Sequence, residues 1–365
     1  MRAMARIRFH SRSRSCFWFV VVVAALTAGA CIVPRRTNTS VNAAAPAGAA
    51  PPIVARPRRG LPVPPGGSVA RPAGEPGGLV VLDWAGFRGA VTYTFDDANS
   101  SQITHYPELQ ALGVPMTFYL ITSKPEASDP TWARAVADGH ELGNHSQRHQ
   151  HTGTGADLDA ATDFIRRTFG VEVWTMASPY GDASYPPLAP DRFLVNRGVV
   201  GGLIGANDDT DPFNLNCYVP PARARAGDFN REVDAARGAG KWLVVLVHGF
   251  TGGSDGAYQA VDAREFTASV NHARELGDLW LDSMVDVAAY WRGQKLLSAT
   301  APVKSGDATT WTWTWTLPRH FPPATILRVK TSGGTLSQSG KPLEWDPHGY
   351  YEVALDAGSL TLSRP

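Results

Sequence analysis

Short apolar runs alternate with helix-like stretches from residue 79 to residue 291, and this alternation constrains the fold more than any other feature of the chain. The most apolar run covers residues 242–247. Continuous apolar runs of about four to eight residues are typical of strands that are buried on both faces. Strands in regular alternation with helices predict a parallel β/α architecture, either an open sheet or a barrel.

The predicted strands of this region share β-branched and aromatic residues, and the predicted helices share apolar residues at helical spacing. The strands are expected at 91–95, 115–121, 141–144, 171–177, 199–204, 242–247 and 279–281. The helices are expected at 106–112, 129–137, 157–169, 263–276 and 284–291.

The pattern changes after Arg292. Trp and Thr alternate strictly from 311 to 316, and further strand-like runs follow at 326–330 and 350–355 with Gly-rich turns between them. This pattern predicts a small antiparallel β module. The three tryptophans share one strand face, and packing into the protein is favoured over a platform for sugar stacking.

The first 33 residues are expected to be an export signal. Five arginines at positions 2 to 14 precede a largely apolar run from 17 to 33. The residues before Cys31 resemble a bacterial lipoprotein box, although Ala28 stands where Leu is usual. We expect cleavage near Ala30 rather than an uncleaved anchor, and a protein outside the cytoplasm, either secreted or attached to the cell envelope.

Composition divides the rest of the chain. Residues 34–78 are rich in Ala, Pro, Gly and Arg and predict a linker, 79–296 predict the catalytic domain, and 297–365 form the small β module. Only Cys217 lies in the folded part, so no disulfide framework is implied. The net charge of +1 argues against nucleic acid as a partner. Membrane contact is expected only through the N-terminal segment, and the protein is expected to be a monomer.

Two adjacent carboxylates, Asp96 and Asp97, follow the apolar run that ends at Phe95. Strands disfavour Asp, so the pair marks the carboxyl end of a strand, where α/β proteins place their chemistry. Two such carboxylates can divide the work, one holding a cation and the other handling a proton. By itself such a pair more often caps the next helix.

Four of the ten histidines of the chain lie between positions 140 and 151. His145 and His149 are four residues apart, a spacing that on a helical turn brings two imidazoles to one face. Imidazole with a carboxylate is a common ligand set for zinc, so these histidines and the preceding Asp pair predict a metal site. His140 and His151 are interpreted as bystanders.

Two further clusters end apolar runs. The string Ser-Pro-Tyr-Gly at 178–181 predicts a tight turn whose backbone N–H can point into a site. His248 closes the run 242–247 and is followed by Gly, a placement that suits acid–base chemistry. Taken singly, an ordinary surface turn and a satisfied buried histidine are the simpler interpretations.

In this order the four clusters resemble the polysaccharide deacetylase family, also called NodB-like or carbohydrate esterase family 4. The resemblance rests on Thr-Phe-Asp-Asp (94–97), His-Ser-x-x-His (145–149), Ser-Pro-Tyr-Gly (178–181) and Leu-x-His (246–248). It covers about residues 89–294. It implies an irregular (β/α) barrel with a catalytic groove at the carboxyl ends of the strands, and the small C-terminal antiparallel β module lies outside it.

The resemblance also implies a ligand set and a reaction. Asp97, His145 and His149 would hold a divalent cation, usually Zn²⁺. The cation would bind and activate water and polarise the carbonyl of an acetylated polysaccharide.

Three further roles follow from the same resemblance. Asp96 would be the base that takes the water proton. The backbone N–H of Tyr180 would bind the oxyanion together with the metal, and His248 would protonate the departing amine.

Two departures concern the surroundings of Asp96. Ala98 stands where the family usually has Gly, and Ala177 stands where it usually has an Arg that pairs with the catalytic Asp. Losing that cation is expected to raise the pKa of Asp96. Arg223 or Arg225 is the expected substitute from another loop.

A third departure concerns His248. The family's Asp-Trp motif is not visible, but Asp209 or Asp211 lies in the right region and is expected to orient this histidine.

The sequence predicts an exported metal-dependent deacetylase that hydrolyses N-acetyl groups of a cell-wall or chitin-like glycan. The first alternative is an esterase that removes O-acetyl groups, for example from xylan, with the same site. The second is a glycan-binding protein that keeps the metal and has lost catalysis. The missing Arg at position 177 favours this second alternative, whereas the presence of Asp96 and His248 counts against it.

Overall fold

The computed structural model describes residues 60–306 and 309–364. The predicted signal segment 1–33 with Cys31, and residues 34–59 of the predicted linker, lie outside the described residues. All described residues belong to one compact unit, Ala49–Pro365. Within the described ranges no helix has the length and apolar character that a membrane crossing requires.

The helices and strands of the described ranges are numbered separately in chain order. The strands are β1 (Val80–Val81), β2 (Gly89–Phe95), β3 (Thr117–Leu120), β4 (Glu141–Asn144), β5 (Thr175–Ala177), β6 (Val195–Arg197), β7 (Trp242–Val247), β8 (Leu279–Leu281), β9 (Val303–Lys304), β10 (Thr310–Thr314), β11 (Ile326–Lys330), β12 (Thr335–Gln338), β13 (Lys341–Pro342), β14 (Trp345–Asp346), β15 (Tyr350–Ala354) and β16 (Ser359–Ser363). The helices are α1 (Ser100–Ala111), α2 (Thr131–Ala137), α3 (Gly155–Phe169), α4 (Ala226–Ala239), α5 (Ala263–Glu275) and α6 (Met284–Ala299).

A parallel sheet forms the centre of the protein, with the strand order β6-β5-β4-β3-β2-β7. One edge of β2 pairs with β7, and the other edge is divided between β8 and β3. Residues 214–218 fill the gap between the two ends of the sheet, because Leu215 pairs with Arg197 of β6 and Tyr218 pairs with Val245 of β7. The sheet therefore closes through an irregular strand-like segment, and the predicted irregular (β/α) barrel is confirmed.

The predicted strand bounds are confirmed for β4, β7 and β8. The prediction of a strand at 199–204 is wrong, since β6 lies at Val195–Arg197 and Val199 and Val200 are exposed. This strand was missed because it contains polar residues: Asn196 and Arg197 are both buried, and each donates a side-chain hydrogen bond to a backbone carbonyl.

Two helices also differ from the prediction. Helix α4 was missed because only three of its residues are buried, so its apolar stripe is sparse. Helix α6 continues to Ala299 instead of ending at residue 291, and it is buried along most of its length.

Helix α6 lies across the amino ends of the barrel strands. At its start, the backbone N–H of Val285 donates to the buried carboxylate of Glu141, the first residue of β4, at 2.8 Å. Further along, the guanidinium of Arg292 donates to the carbonyl of Leu194, just before β6, at 2.6 Å. The helix thus closes the bottom of the barrel, and the carboxyl ends of the strands lie at the opposite end.

Two antiparallel sheets at the C-terminus pack on α6, which confirms the predicted antiparallel β module. Their strand orders are β1-β11-β15-β14 and β13-β12-β16-β10-β9. Packing is close at Gly293 of α6, where an added Cβ would lie 2.4 Å from a methyl carbon of Leu355. Trp313 and Trp315 are buried in the same apolar core, and Trp311 packs against it. The interpretation of these tryptophans as packing residues is confirmed.

The predicted domain limits stay predictions. The structure describes the surroundings of two of them, the limit at 296–297 and the end of the linker at residue 78. The limit at 296–297 falls inside α6. The described part of the linker, residues 60–78, lies along the C-terminal sheets: Arg328 of β11 donates to the carbonyls of Leu61 and Pro62, at 3.1 and 2.7 Å. The same guanidinium, which is almost completely buried, also pairs with Glu352 at 3.1 Å.

We expect Arg328→Met to lower the free energy of unfolding by about 1–3 kcal/mol, because it removes a buried guanidinium that binds three backbone carbonyls, among them the buried carbonyl of Ala85. Urea-induced unfolding measures this loss, and limited proteolysis checks whether residues 60–78 become accessible. Arg319→Met is the matched control, since that side chain is 74% exposed and its ion pair is long at 3.8 Å. Equal stability of the two variants would contradict the prediction.

Candidate metal centre

The two adjacent aspartates lie in a tight turn at the carboxyl end of β2. Asp97 has φ 78° and Ala98 has φ 53°, a backbone region that side chains other than Gly rarely adopt. Asn99 stabilises this turn, because its side-chain amide donates to the Asp97 carboxylate at 3.4 Å and to the carbonyl of His248 at 2.7 Å. The turn after β2 is therefore tied to the end of β7.

His145 and His149 lie in the loop after β4 and not on a helical turn, so the helical interpretation is wrong. Ser146 and His149 have positive φ values of 62° and 51°. Side chains hold the loop in place of helical hydrogen bonds: the backbone N–H of His149 donates to Ser146 Oγ at 2.9 Å, and that of Ser146 donates to Asn144 Oδ1 at 2.7 Å. Buried Asp157 of α3 adds an acceptor for two further backbone N–H groups of this loop.

The loop nevertheless brings both imidazoles to Asp97, as the motif predicts. Asp97 Oδ1 lies 3.4 Å from His145 Nε2 and 3.6 Å from His149 Nε2. One ligand atom from each of the three residues lies within 4.8 Å of the other two. Asp97 Oδ1 is buried and makes no hydrogen bond, so its free lone pairs face two nitrogen atoms. Such a set of donors fits a divalent cation, and its composition is that of a zinc site.

A backbone carbonyl orients His145 for this role. Its Nδ1 lies 2.9 Å from the carbonyl oxygen of Ala177, which can only accept a hydrogen bond. Nδ1 therefore carries a proton, and Nε2 is the atom that faces Asp97. Burial opposes the charged form of His145, but Asp96 and Asp97 outweigh burial and raise the pKa of this imidazole above its ordinary value. Burial lowers the pKa of His149 to about 4, with the charge of His145 contributing, so His149 is neutral and ready to bind a cation near pH 7.

The cation next to Asp96 is Arg197, which the sequence analysis missed. Its Nη2 contacts both carboxylate oxygens of Asp96, one of them at 2.5 Å, and both side chains are buried. Arg197 is the direct neighbour of Ala177 in the parallel pairing of β5 and β6, so the guanidinium comes from the adjacent strand. The proposal of Arg223 or Arg225 is wrong: Arg225, for example, pairs with Glu265 at 2.9 Å on the surface.

The expected rise in the pKa of Asp96 is also wrong. Burial alone would raise the pKa of this carboxyl, but the Arg197 guanidinium, followed by His145 and His248, outweighs burial and holds it below the ordinary value. Asp96 is therefore ionised near pH 7. It lies 3.6 Å from His145 Nε2, beside the three candidate ligand residues, and it is not a member of the group that could hold a cation.

His248 lies at the end of β7 on the same edge of the barrel. Burial lowers the pKa of this imidazole, and Asp96 and Asp97 partly offset the effect, so His248 is mainly neutral near pH 7. Its ring contacts Tyr258 edge-on, with 5.2 Å between the ring centroids.

The expected pairing of His248 with Asp209 or Asp211 is wrong. Asp211 accepts the backbone N–H of Phe213 at 2.8 Å, within its own turn. The loop that carries both aspartates starts near Ile204, which pairs with Trp242 at the amino end of β7. Asp209 and Asp211 are thus attached to the opposite end of the strand from His248.

Tyr180 lies in the turn after β5, where Pro179–Gly181 form a short 3-10 segment and Tyr180 has φ 57°. Its ring centroid lies 4.4 Å from that of His149 and 3.8 Å from that of His151, and the ring of His151 is nearly parallel to it, at 12°. His151 thus contacts the site through Tyr180. His140 has a structural role in the core, where its Nδ1 accepts the backbone N–H of Met116 at 3.0 Å. The catalytic roles of Asp96, Tyr180 and His248 stay predictions.

A comparison with protein families agrees with the motif pattern. Residues 87–189 match the family model described as polysaccharide deacetylase. The matched segment contains the first three motifs, and His248 lies beyond it. The resemblance to this family is thereby confirmed.

Individual proteins show weaker similarity. A gellan lyase from Bacillus sp is 30% identical over 138 residues, but the match covers 34% of this chain and only 5% of the lyase. Two solved structures are similar in part: the Xyl-CE4 domain of a multidomain xylanase from the hindgut metagenome of Trinervitermes trinervoides, and a peptidoglycan deacetylase from Bacillus subtilis. The xylanase domain is 19% identical, the match covers 54% of this chain and 88% of that domain, and the TM-score is 0.38. The peptidoglycan deacetylase is 17% identical, the match covers 54% of this chain and 89% of that chain, and the TM-score is 0.34. With scores this low, no residue role is carried over from either structure.

Removing a proposed ligand tests the metal centre. We expect Asp97→Ala and His149→Ala to weaken zinc binding by more than about 100-fold, since even residues that only orient a metal ligand contribute about 10- to 100-fold. Affinity is measured by competition with a chelator. His151→Ala is the matched control, because His151 belongs to the same loop and has no atom in the ligand set. Equal loss in all three variants would argue against the assigned ligands.

Removing Arg197 tests the ion pair. In the native protein the pKa of Asp96 is lowered, so its contribution to stability is present above its unfolded-state pKa of about 3.9 and is lost as the pH falls. Arg197→Ala leaves a buried carboxylate without a partner and should cost about 3–5 kcal/mol at pH 7. The loss should shrink towards pH 4, where protonated Asp96 needs no partner. Urea unfolding in the presence of a chelator, at both pH values, measures it.

The neighbouring strand offers a control for this experiment. Because Ala177 and Arg197 are register partners, the double variant Ala177→Arg with Arg197→Ala returns a guanidinium to the same region. We expect it to recover part of the stability at pH 7. A loss of stability that does not depend on pH would show that Arg197 acts only by packing.

Proposed function

We propose that this protein is an exported metal-dependent deacetylase that hydrolyses N-acetyl groups of a cell-wall or chitin-like polysaccharide. The observation that carries the proposal is Asp97 Oδ1, a buried oxygen without a hydrogen bond that faces the Nε2 atoms of His145 and His149. A second carboxylate, Asp96, lies beside this set and is paired with Arg197. A cation-binding carboxylate and a separate ionised base next to each other suit the hydrolysis of an amide.

The chain supplies the base for this reaction. Asp96 is ionised and fixed by Arg197, so it can accept a proton from a water molecule that attacks the acyl carbon. A divalent cation held by Asp97, His145 and His149 would supply Lewis acidity when bound. The backbone N–H of Tyr180 would donate a hydrogen bond to the oxygen that gains negative charge.

His248 would act on the leaving group. Its imidazole is mainly neutral near pH 7, so it must take up a proton before it can protonate the departing nitrogen. The carboxylates of Asp96 and Asp97 favour the protonated form once it appears. Its placement at the end of β7, on the edge that carries both aspartates, makes it available for this step.

The structure removes the main argument for a catalytically impaired glycan-binding protein. That alternative was favoured by the missing Arg at position 177, and Arg197 now occupies the position next to Asp96 from the neighbouring strand. An esterase that removes O-acetyl groups would use the same site, and the substrate panel below distinguishes the two reactions.

We further propose that the protein acts outside the cytoplasm as a monomer, with zinc as its metal. The basic and apolar segment at 1–33 supports export. Within the described residues Cys217 is a free, buried cysteine. Lipidation of Cys31 would hold the protein at the envelope.

Acetate release tests the proposal. Purified protein with added zinc is expected to release acetate from one of three substrates: chitooligosaccharides, peptidoglycan or acetylated xylan. Asp96→Asn should lower kcat by about 100-fold or more, because it removes the base, while zinc stays bound. Asp97→Ala should abolish both zinc binding and acetate release.

The control is Asp159→Asn, which changes a carboxylate that is 58% exposed and pairs with Arg192 on the surface. It should retain full activity. Release from xylan alone would favour the esterase. No release from any substrate by zinc-loaded protein, together with retained glycan binding, would favour the binding protein.

A further inference from the structure

Two exposed tyrosines stand beside the metal centre. In the described ranges, Tyr180 and Tyr258 are the aromatic residues among the exposed large apolar side chains, at 53% and 61% exposure. Each one contacts a histidine of the site: Tyr180 contacts His149, and Tyr258 contacts His248. Exposed aromatic rings next to a polar site are typical of a surface that binds a ligand.

The strand order places the two rings on either side of the ligand residues. Tyr180 follows β5 and Tyr258 follows β7, and the sheet order between these strands is β5-β4-β3-β2-β7. The intervening strands β4 and β2 carry the two ligand histidines and the Asp pair at their ends. Each ring also contacts one histidine of the site, so a ligand that touches both rings lies next to the candidate metal centre.

Contacts within the protein support the position of each ring. The loop of Tyr258 is fixed by Asp255, which accepts the backbone N–H of Ser101 at 2.7 Å and that of Ala257 at 3.2 Å. The Tyr180 ring is stacked on His151, whose own ring is exposed. Rings that are already ordered bind a partner at a lower entropic cost than mobile side chains.

We propose that Tyr258 and the stacked pair Tyr180–His151 are two sugar-binding positions, and that the substrate is a chain of pyranose rings long enough to contact both. The apolar C–H face of a pyranose packs on an aromatic ring, while its hydroxyl groups stay in water, so an exposed ring suits this ligand. The two positions contact different histidines of the site, His149 and His248, so a longer chain is expected to gain more from them than a short one. This inference rests on the proposed function, since it takes the glycan as substrate.

Chain-length dependence tests the proposal. The probes are the N-acetylated chitin hexasaccharide and disaccharide, with corresponding peptidoglycan and acetylated xylan fragments if chitin is not bound. Tyr258→Ala and His151→Ala should each lower kcat/KM for the hexasaccharide about tenfold, which corresponds to about 1.4 kcal/mol, and should lower the ratio of hexasaccharide to disaccharide. Tyr258→Phe should keep the native ratio, because it keeps the ring.

Val200→Ala is the control, since Val200 is also exposed, at 60%, and follows β6, a strand that carries none of the site histidines. Variants that lower the activity on both lengths equally, or change neither, would overturn the proposal. Calorimetric titration with the hexasaccharide separates the two levels of inference. Binding that weakens in Tyr258→Ala without any acetate release in the native protein would support the sugar positions and reject the proposed function. Failure to bind any of the three glycans would reject the sugar positions.

Discussion

A carboxylate that is buried inside an apolar barrel needs a buried cation, and the site depends on this one ion pair. Arg197 is the strongest of the charges that hold the pKa of Asp96 below its ordinary value against burial, so its removal would raise this pKa and lower the ionised fraction that the proposed base needs. The guanidinium is itself supported, since it donates to the carbonyl of Gly198 and lies 5.6 Å from the centre of the Tyr119 ring. Tyr119 and Thr175 then connect this pair to Glu141 and so to the amino end of α6. The polar centre is thus continuous from the site to the bottom of the barrel.

Three turns that carry site residues use left-handed backbone at residues other than glycine. Asp97, Ser146 and Tyr180 all have φ between 57° and 78°. Such conformations cost free energy and persist where surrounding contacts compensate for it. Here the compensation comes from side chains that bind backbone groups, such as Asn144 and Asp157 around the histidine loop. The loop after β4 therefore takes its shape from these side-chain hydrogen bonds and not from a helical turn.

The sequence predicted the parts of the structure that depend on local pattern. The bounds of β7 follow from an apolar run, and the candidate metal triad follows from the motifs that resemble those of the deacetylase family. Arg197 could not be found in this way, because its role depends on strand register between β5 and β6, which one sequence does not contain. One signal was available: Arg197 ends the run Phe-Leu-Val-Asn and is followed by Gly, as His248 ends its own run. Helix α4 was missed because it has too few apolar residues to show a helical period. The full length of α6 was missed because its residues are buried on most sides, so its apolar positions do not follow a helical period.

The contacts of Arg328 with Leu61 and Pro62 also show on which side of the barrel the N-terminal segment of the described residues lies. The C-terminal sheets that hold this segment pack on α6, at the amino ends of the strands, whereas the metal centre lies at the carboxyl ends. A chain anchored through its N-terminus, as proposed above, would therefore have its candidate metal centre turned away from the point of attachment. The proposed deacetylation would then act on polymer beyond the surface that carries the protein, over a distance limited by the length of the preceding linker.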